Sequence, residues 1–143
     1  MHTHGFTLVE LLLVLALTFV VGAFTFPMGI TFFRAQLLSD TTDLLSDTLR
    51  TAQVQAHMQK NDSSFGVKAL AGSFVLFEGE SYEARTVAED ESFTLPPTVE
   101  LSGFDQIIFS KGTGIPDSTH QITLSLVGNE QIITVNATGV IGQ

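Results

Sequence analysis

Hydrophobic and polar positions divide the chain into three regimes. From Leu11 to Phe33 no Asp, Glu, Lys or Arg interrupts a run that begins LLLVLALTFVVGAF. A helix over these positions is about 35 Å long at about 1.5 Å per residue, enough to cross a hydrocarbon core of about 30 Å. A secretory signal would show a shorter apolar region, about 7 to 15 residues, and a small-residue cleavage site. The competing reading is a fully buried core helix, and a chain this short can hardly surround one. The pattern therefore predicts a retained membrane-spanning helix. Gly22, Pro27 and Gly29 in its second half predict a kink or local melting, with Thr25, Thr31 or neighbouring helices satisfying the freed carbonyls.

Beyond Arg34 the helical period continues with one wet face. Leu38, Leu45, Leu49, Ala52 and Ala56 fall on a single stripe, which predicts an amphipathic stem running to about Lys60. Asp40, Asp43 and Asp47 precede Arg50 and Lys60, an order that suits the helix dipole. From Asn61 onward helical periodicity gives way to short β-type runs between turn residues. Strands are expected over Phe65–Leu70, Ser73–Glu78, 98–101, 106–110, 121–127 and 132–137. Ile122, Leu124 and Leu126 alternate with Thr123 and Ser125, the period of a strand with one buried face. Ala71 with Gly72, and Gly128 with Asn129, are the expected hairpin turns, and 78–97 reads as an acidic surface loop. The fold class is α+β: a long N-terminal helix, half transmembrane and half amphipathic, packed on a C-terminal antiparallel β domain.

Charge and composition narrow the function. The 143 residues include no cysteine, which excludes a disulfide framework and a thiolate zinc site. Fifteen acids against six bases give a net charge of -9, which opposes nucleic-acid phosphate. Glu89, Asp90 and Glu91 are adjacent rather than spaced as calcium ligands are. The glycine-rich KGTGIPD, from Lys111 to Asp117, lacks the spacing and following helix of a phosphate loop and reads as a connection between strands. Ser118 and His120 carry no nucleophile motif; His57 has no second ligand on its turn, and His2 with His4 makes a poor metal pair. Asn61 and Asn136 head glycosylation sequons, which match by chance often. No catalytic residue, metal or cofactor is expected.

Glu10 is the anomaly, an acid inside an apolar stretch that starts at Phe6. An ionisable group in hydrocarbon costs about 2.5 to 3.5 kcal/mol on insertion scales and calls for a cationic partner. The segment GFTLVELL, from Gly5 to Leu12, resembles the cleavage and methylation motif of type IV prepilins and type II secretion pseudopilins. The resemblance implies cleavage between Gly5 and Phe6 by a prepilin peptidase and N-methylation of Phe6. It also implies that Glu10 pairs with the amino terminus of a neighbouring subunit, and that Pro27 is the helix-breaking proline of the family.

On this reading the chain divides into a leader (1–5), a transmembrane helix (6–34), a stem helix (35–60) and a β-rich domain (61–143). The leader MHTHG departs from the family in having no Lys or Arg, and Arg34 biases the positive-inside rule the wrong way, so either the start lies upstream of Met1 or His2, His4 and the initiator amine suffice. LRTAQVQA, IIFSKGTG and the terminal ITVNATGVI resemble the GspH/FimT class of minor pseudopilins and minor pilins. Absence of a disulfide loop or calcium loop favours a minor over a major subunit.

The resemblance implies a non-enzymatic structural subunit. It sits first in the bacterial cytoplasmic membrane with its C-terminal domain outside the cytoplasm, and then in a secretion pseudopilus or type IV pilus. Its partners are lipid before assembly, the peptidase, an assembly platform and the N-terminal helices of other pilins. Two readings compete: a DNA-uptake minor pilin, which needs a basic surface that TGVIGQ does not supply, and a single-pass anchored binding domain that is never cleaved.

Overall fold

The computed structural model describes residues 7–143, with the backbone alone described for 24–28. The chain forms two compact units, Met1–Gln36 and Leu37–Gln143. One helix, α1 (Leu8–His57), contributes to both. It is assigned without a break through position 27, so the local melting expected there is not found. A proline removes one backbone donor and tilts the axis, yet the turns on either side can continue. The side chains of Thr25 and Pro27 lie outside the described residues.

In the second unit α1 supplies the spine of the core. Leu38, Leu45, Leu49, Ala52 and Ala56 are all buried, as the stripe predicts. Around them stand two four-stranded sheets. The first has the order β3-β2-β1-β5, built from β1 (Phe65–Leu70), β2 (Ser73–Glu78), β3 (Glu91–Thr94) and β5 (Gln106–Phe109). The second has the order β4-β6-β7-β8, from β4 (Glu100–Ser102), β6 (His120–Leu126), β7 (Asn129–Val135) and β8 (Ile141–Gly142). Every named pairing is antiparallel. Phe65, Val67, Phe74, Leu76, Ile107 and Phe109 from the first sheet meet the helix stripe, and Ile122, Leu124, Leu126, Ile133 and Val135 from the second join the same cluster.

Both first-hairpin strands lie where the sequence places them, and the predicted alternation of β6 is observed. The differences have physical causes. The expected acidic loop contains β3, a strand whose burial is so shallow that its sequence ESFT carries no hydrophobic alternation. Two-residue β8 is too short to leave a pattern. The second hairpin turns at Val127 and Gly128 rather than at Gly128 and Asn129, because Leu126 pairs with Asn129. Both turn residues then need positive φ, 36° at Val127 and 82° at Gly128. A β-branched side chain is poorly suited to that region, and the apolar residue hid the turn.

Replacing Val127 with Asn gives the turn the residue it favours. Val127→Asn should raise the stability of the unit by about 1 kcal/mol and its thermal midpoint by several degrees. A lowered midpoint in thermal unfolding would contradict the turn assignment.

Candidate functional site

The N-terminal site starts with the first turn of α1. Thr7 precedes the helix, and its Oγ1 accepts the backbone N–H of Glu10 at 3.2 Å while its carbonyl accepts that of Leu11 at 3.2 Å. Thr7 is thus an N-cap and Glu10 the third helical residue, the spacing of a capping box. This Thr-x-x-Glu signal was present in the sequence, beneath the reading of Glu10 as an isolated acid. Its position also places the carboxylate at the positive end of the helix dipole. Gly5, Phe6 and the leader with His2 and His4 lie outside the described residues.

Behind Glu10 the helix is apolar on every side. The large hydrophobic residues from Leu8 to Phe33 whose exposure is described range from 42% to 76% accessible, including the consecutive run Leu11 to Leu15. Five successive helical residues point in five directions, so no face of this segment is buried. Its polar groups close on themselves, as where Thr18 Oγ1 donates to the Val14 carbonyl at 2.7 Å. Among the described residues no helix is long and apolar enough to cross a membrane. An all-apolar surface of this kind is stable only against other apolar matter.

The remaining candidates from the sequence have structural roles. The glycine-rich segment docks on the C-terminal end of α1, where the Gly112 N–H donates to the Ala56 carbonyl at 2.8 Å. A Cβ on Gly114, at φ 62°, would stand 3.0 Å from the Gln53 carbonyl oxygen, so the close approach to the helix requires glycine. Gln53 ties the same region from the helix side, its Nε2 donating to the carbonyls of Gly114 (3.1 Å) and Gly139 (2.7 Å). Asp117, Ser118 and His120 cluster, but Ser118 Oγ (2.9 Å) and Asp117 Oδ1 (3.0 Å) share one ring nitrogen, Nε2. A nucleophile relay needs the carboxylate on the opposite nitrogen, so this cluster lacks that geometry.

The three consecutive acids diverge. Glu89 pairs with Lys60 at 3.6 Å, Asp90 with Arg85 at 2.7 Å, and Glu91 opens β3. Arg85 also donates to the Tyr82 carbonyl and lies 3.8 Å over the Tyr82 ring, whose edge meets Phe77. The Asp90 hydrogen bond raises the Arg85 pKa above its already high ordinary value. The stretch is therefore a surface strap pinned on the first sheet, ending in β3 rather than being loop throughout. Among the described residues no three His, Asp or Glu are grouped to hold a metal ion. The Asn61 side-chain amide donates to the buried Glu78 at 2.6 Å. Asn136 Oδ1 accepts from the backbone of Thr138 and Val140 within its own turn.

Residues 1–26 match the prokaryotic N-terminal methylation motif. No curated protein sequence matches the chain. Among solved structures the fold is similar to that of the minor pseudopilin EpsH from the type 2 secretion system of Vibrio cholerae. The TM-score is 0.58 at 11% identity, over 73% of this chain and 93% of that one. At this identity the likeness is one of fold.

Gln53→Leu removes both hydrogen bonds to the glycine segments and should cost about 1 to 3 kcal/mol. The denaturant midpoint should fall and the Gly112 amide should exchange faster. An unchanged midpoint would show that Gln53 does not hold these segments.

Proposed function

We propose that this chain, type IV pilin-like in its N-terminal motif and its fold, is a structural minor subunit of a type II secretion pseudopilus or type IV pilus. The observation that carries the reading is the all-round apolar, exposed helix that begins at Leu8, within the 1–26 match to the methylation motif. A solvent-exposed helix of this composition has no stable place in water. Each apolar CH₂ kept from water is worth roughly 0.8 kcal/mol, so the helix exchanges lipid for the helices of other subunits and is never left bare.

The sequence of events follows from that constraint. The helix enters the cytoplasmic membrane as a single span with the β-rich unit outside. Prepilin peptidase cuts between Gly5 and Phe6, and Phe6 is N-methylated. The new secondary amine remains protonated at neutral pH and is a cation close to the apolar segment. Glu10 then pairs with that amine on a neighbouring subunit, which offsets the cost of a carboxylate in an apolar surround and selects one axial register between helices. Pro27 allows the axis to bend as helices pack. The net charge of -9 and the fold likeness to a minor pseudopilin favour this reading over nucleic-acid capture.

Two variants separate processing from assembly. Gly5→Ala should leave the leader attached. Glu10→Ala should be cleaved nearly normally yet co-purify with filaments at a small fraction of the normal level. Normal incorporation of Glu10→Ala, measured by immunoblot of sheared filaments, would remove the pairing mechanism.

A further inference from the structure

The first sheet has one open edge beside a groove. On its β5 side the edge is occupied: Phe109 bridges Pro116, the Ser110 N–H donates to the Ile115 carbonyl, and the Asp117 N–H donates to the Ile108 carbonyl. On the β3 side it is open. The Leu95 N–H donates to the Gly72 carbonyl, and antiparallel alternation then makes Glu91 and Phe93 the residues that bond β2. The N–H and C=O groups of Ser92 and Thr94 face outward, and among the described residues no hydrogen bond reaches them. Natural edges are blunted by Lys, Pro, a bulge or extreme shortness. In the second sheet the edges are only three (β4) and two (β8) residues long, whereas β3 has four residues with no Pro or bulge, and its one charged side chain, Glu91, lies on the groove.

Beside this edge lies a groove of about 250 Å³ between α1 and β3. Leu44, Leu76 and Phe93 give it apolar surface, and Thr48 and Thr51 line its helix side. Asp47 and Glu91 stand on opposite walls of the same groove. The Asp47 side chain is 74% exposed, and Arg50 stands 3.5 Å from it. An occupant must therefore supply backbone groups to a strand edge, one apolar side chain, and a positive charge for two carboxylates on a chain already carrying -9.

We propose that this groove binds an extended basic segment of a partner protein, added to β3 as a fifth strand of the first sheet. Alternation along the added strand puts residues i and i+2 on one face, so an aliphatic residue meets Leu44 and Phe93 while a Lys or Arg two positions away reaches Asp47 and Glu91. Backbone pairing supplies the register and the carboxylates select charge. The proposal concerns the second unit alone and stands apart from the processing and membrane steps above.

The test uses the full chain in detergent micelles and a dye-labelled, capped peptide Thr-Val-Thr-Lys-Thr, read by fluorescence anisotropy. Saturable binding with Kd below about 1 mM is expected. N-methylation of one alternate set of peptide amides should abolish binding, while N-methylation of the other set should be tolerated. Lys replaced by Glu in the peptide, or Asp47→Asn with Glu91→Gln in the protein, should weaken it at least about tenfold. The peptide exchange needs no change in the protein, so a folding defect cannot mimic it. Absence of saturable binding, equal tolerance of both methylated sets, or indifference to the charge changes would overturn the proposal. So would concentration-dependent pairing of the chain with itself through β3 that the peptide does not displace.

Discussion

A helix that is apolar in every direction and exposed in every direction is the constraint from which the rest follows. Leu11 to Leu15 leave no face for water, and the helix that contains them carries on without interruption into the core of a folded unit. One continuous element thus has two solvents. Its first half calls for lipid or for other apolar helices, and its second half, through Leu45, Leu49, Ala52 and Ala56, is solvated by the chain's own β-sheets. Burial of a helix stripe by a sheet is ordinary packing; an uncovered helix beyond it is a commitment to partners.

The second unit is organised around holding that stem. The buried stripe runs from Leu38, Leu45 and Leu49 to Ala52 and Ala56, large residues first and small ones toward the helix end. Gly112, Gly114 and Gly139 bring backbone against the helix end, where Gln53 and the Ala56 carbonyl receive it. Gln143 adds a contact further up, its Nε2 donating to Ser46 Oγ at 2.9 Å and Asp43 Oδ1 at 3.1 Å. The acidic strap completes the outer face of the first sheet, with Tyr82 between Phe77 and Arg85. Two of its acids are paired, Glu89 with Lys60 and Asp90 with Arg85, while Glu91 lies with Asp47 on the groove beside β3.

Much of this was legible in the sequence because it rests on periodicity. The helix stripe repeats at helical spacing, and β1, β2 and β6 alternate or run apolar between turn residues. What escaped depends on pairing rather than pattern. β3 is a strand only because β2 offers it an edge, and its residues would read as loop anywhere else. Val127 occupies a turn position that its own side chain disfavours, so hairpin register outweighs local preference there. At the N-terminal site, Glu10 stands out in the sequence for the cost of its charge, whereas the N-cap that Thr7 forms on the Glu10 backbone N–H is the less visible signal. The two roles are compatible, since the cap uses the Glu10 backbone N–H and leaves the carboxylate available.

The central claim is that this apolar helix works only after a peptidase has exposed a new amine beside it. The most direct measurement is the mass of the N-terminal peptide of the native protein recovered from assembled filaments. The account predicts a chain starting at Phe6 and carrying one additional methyl group. A functional, assembled chain that still begins at Met1 would contradict it.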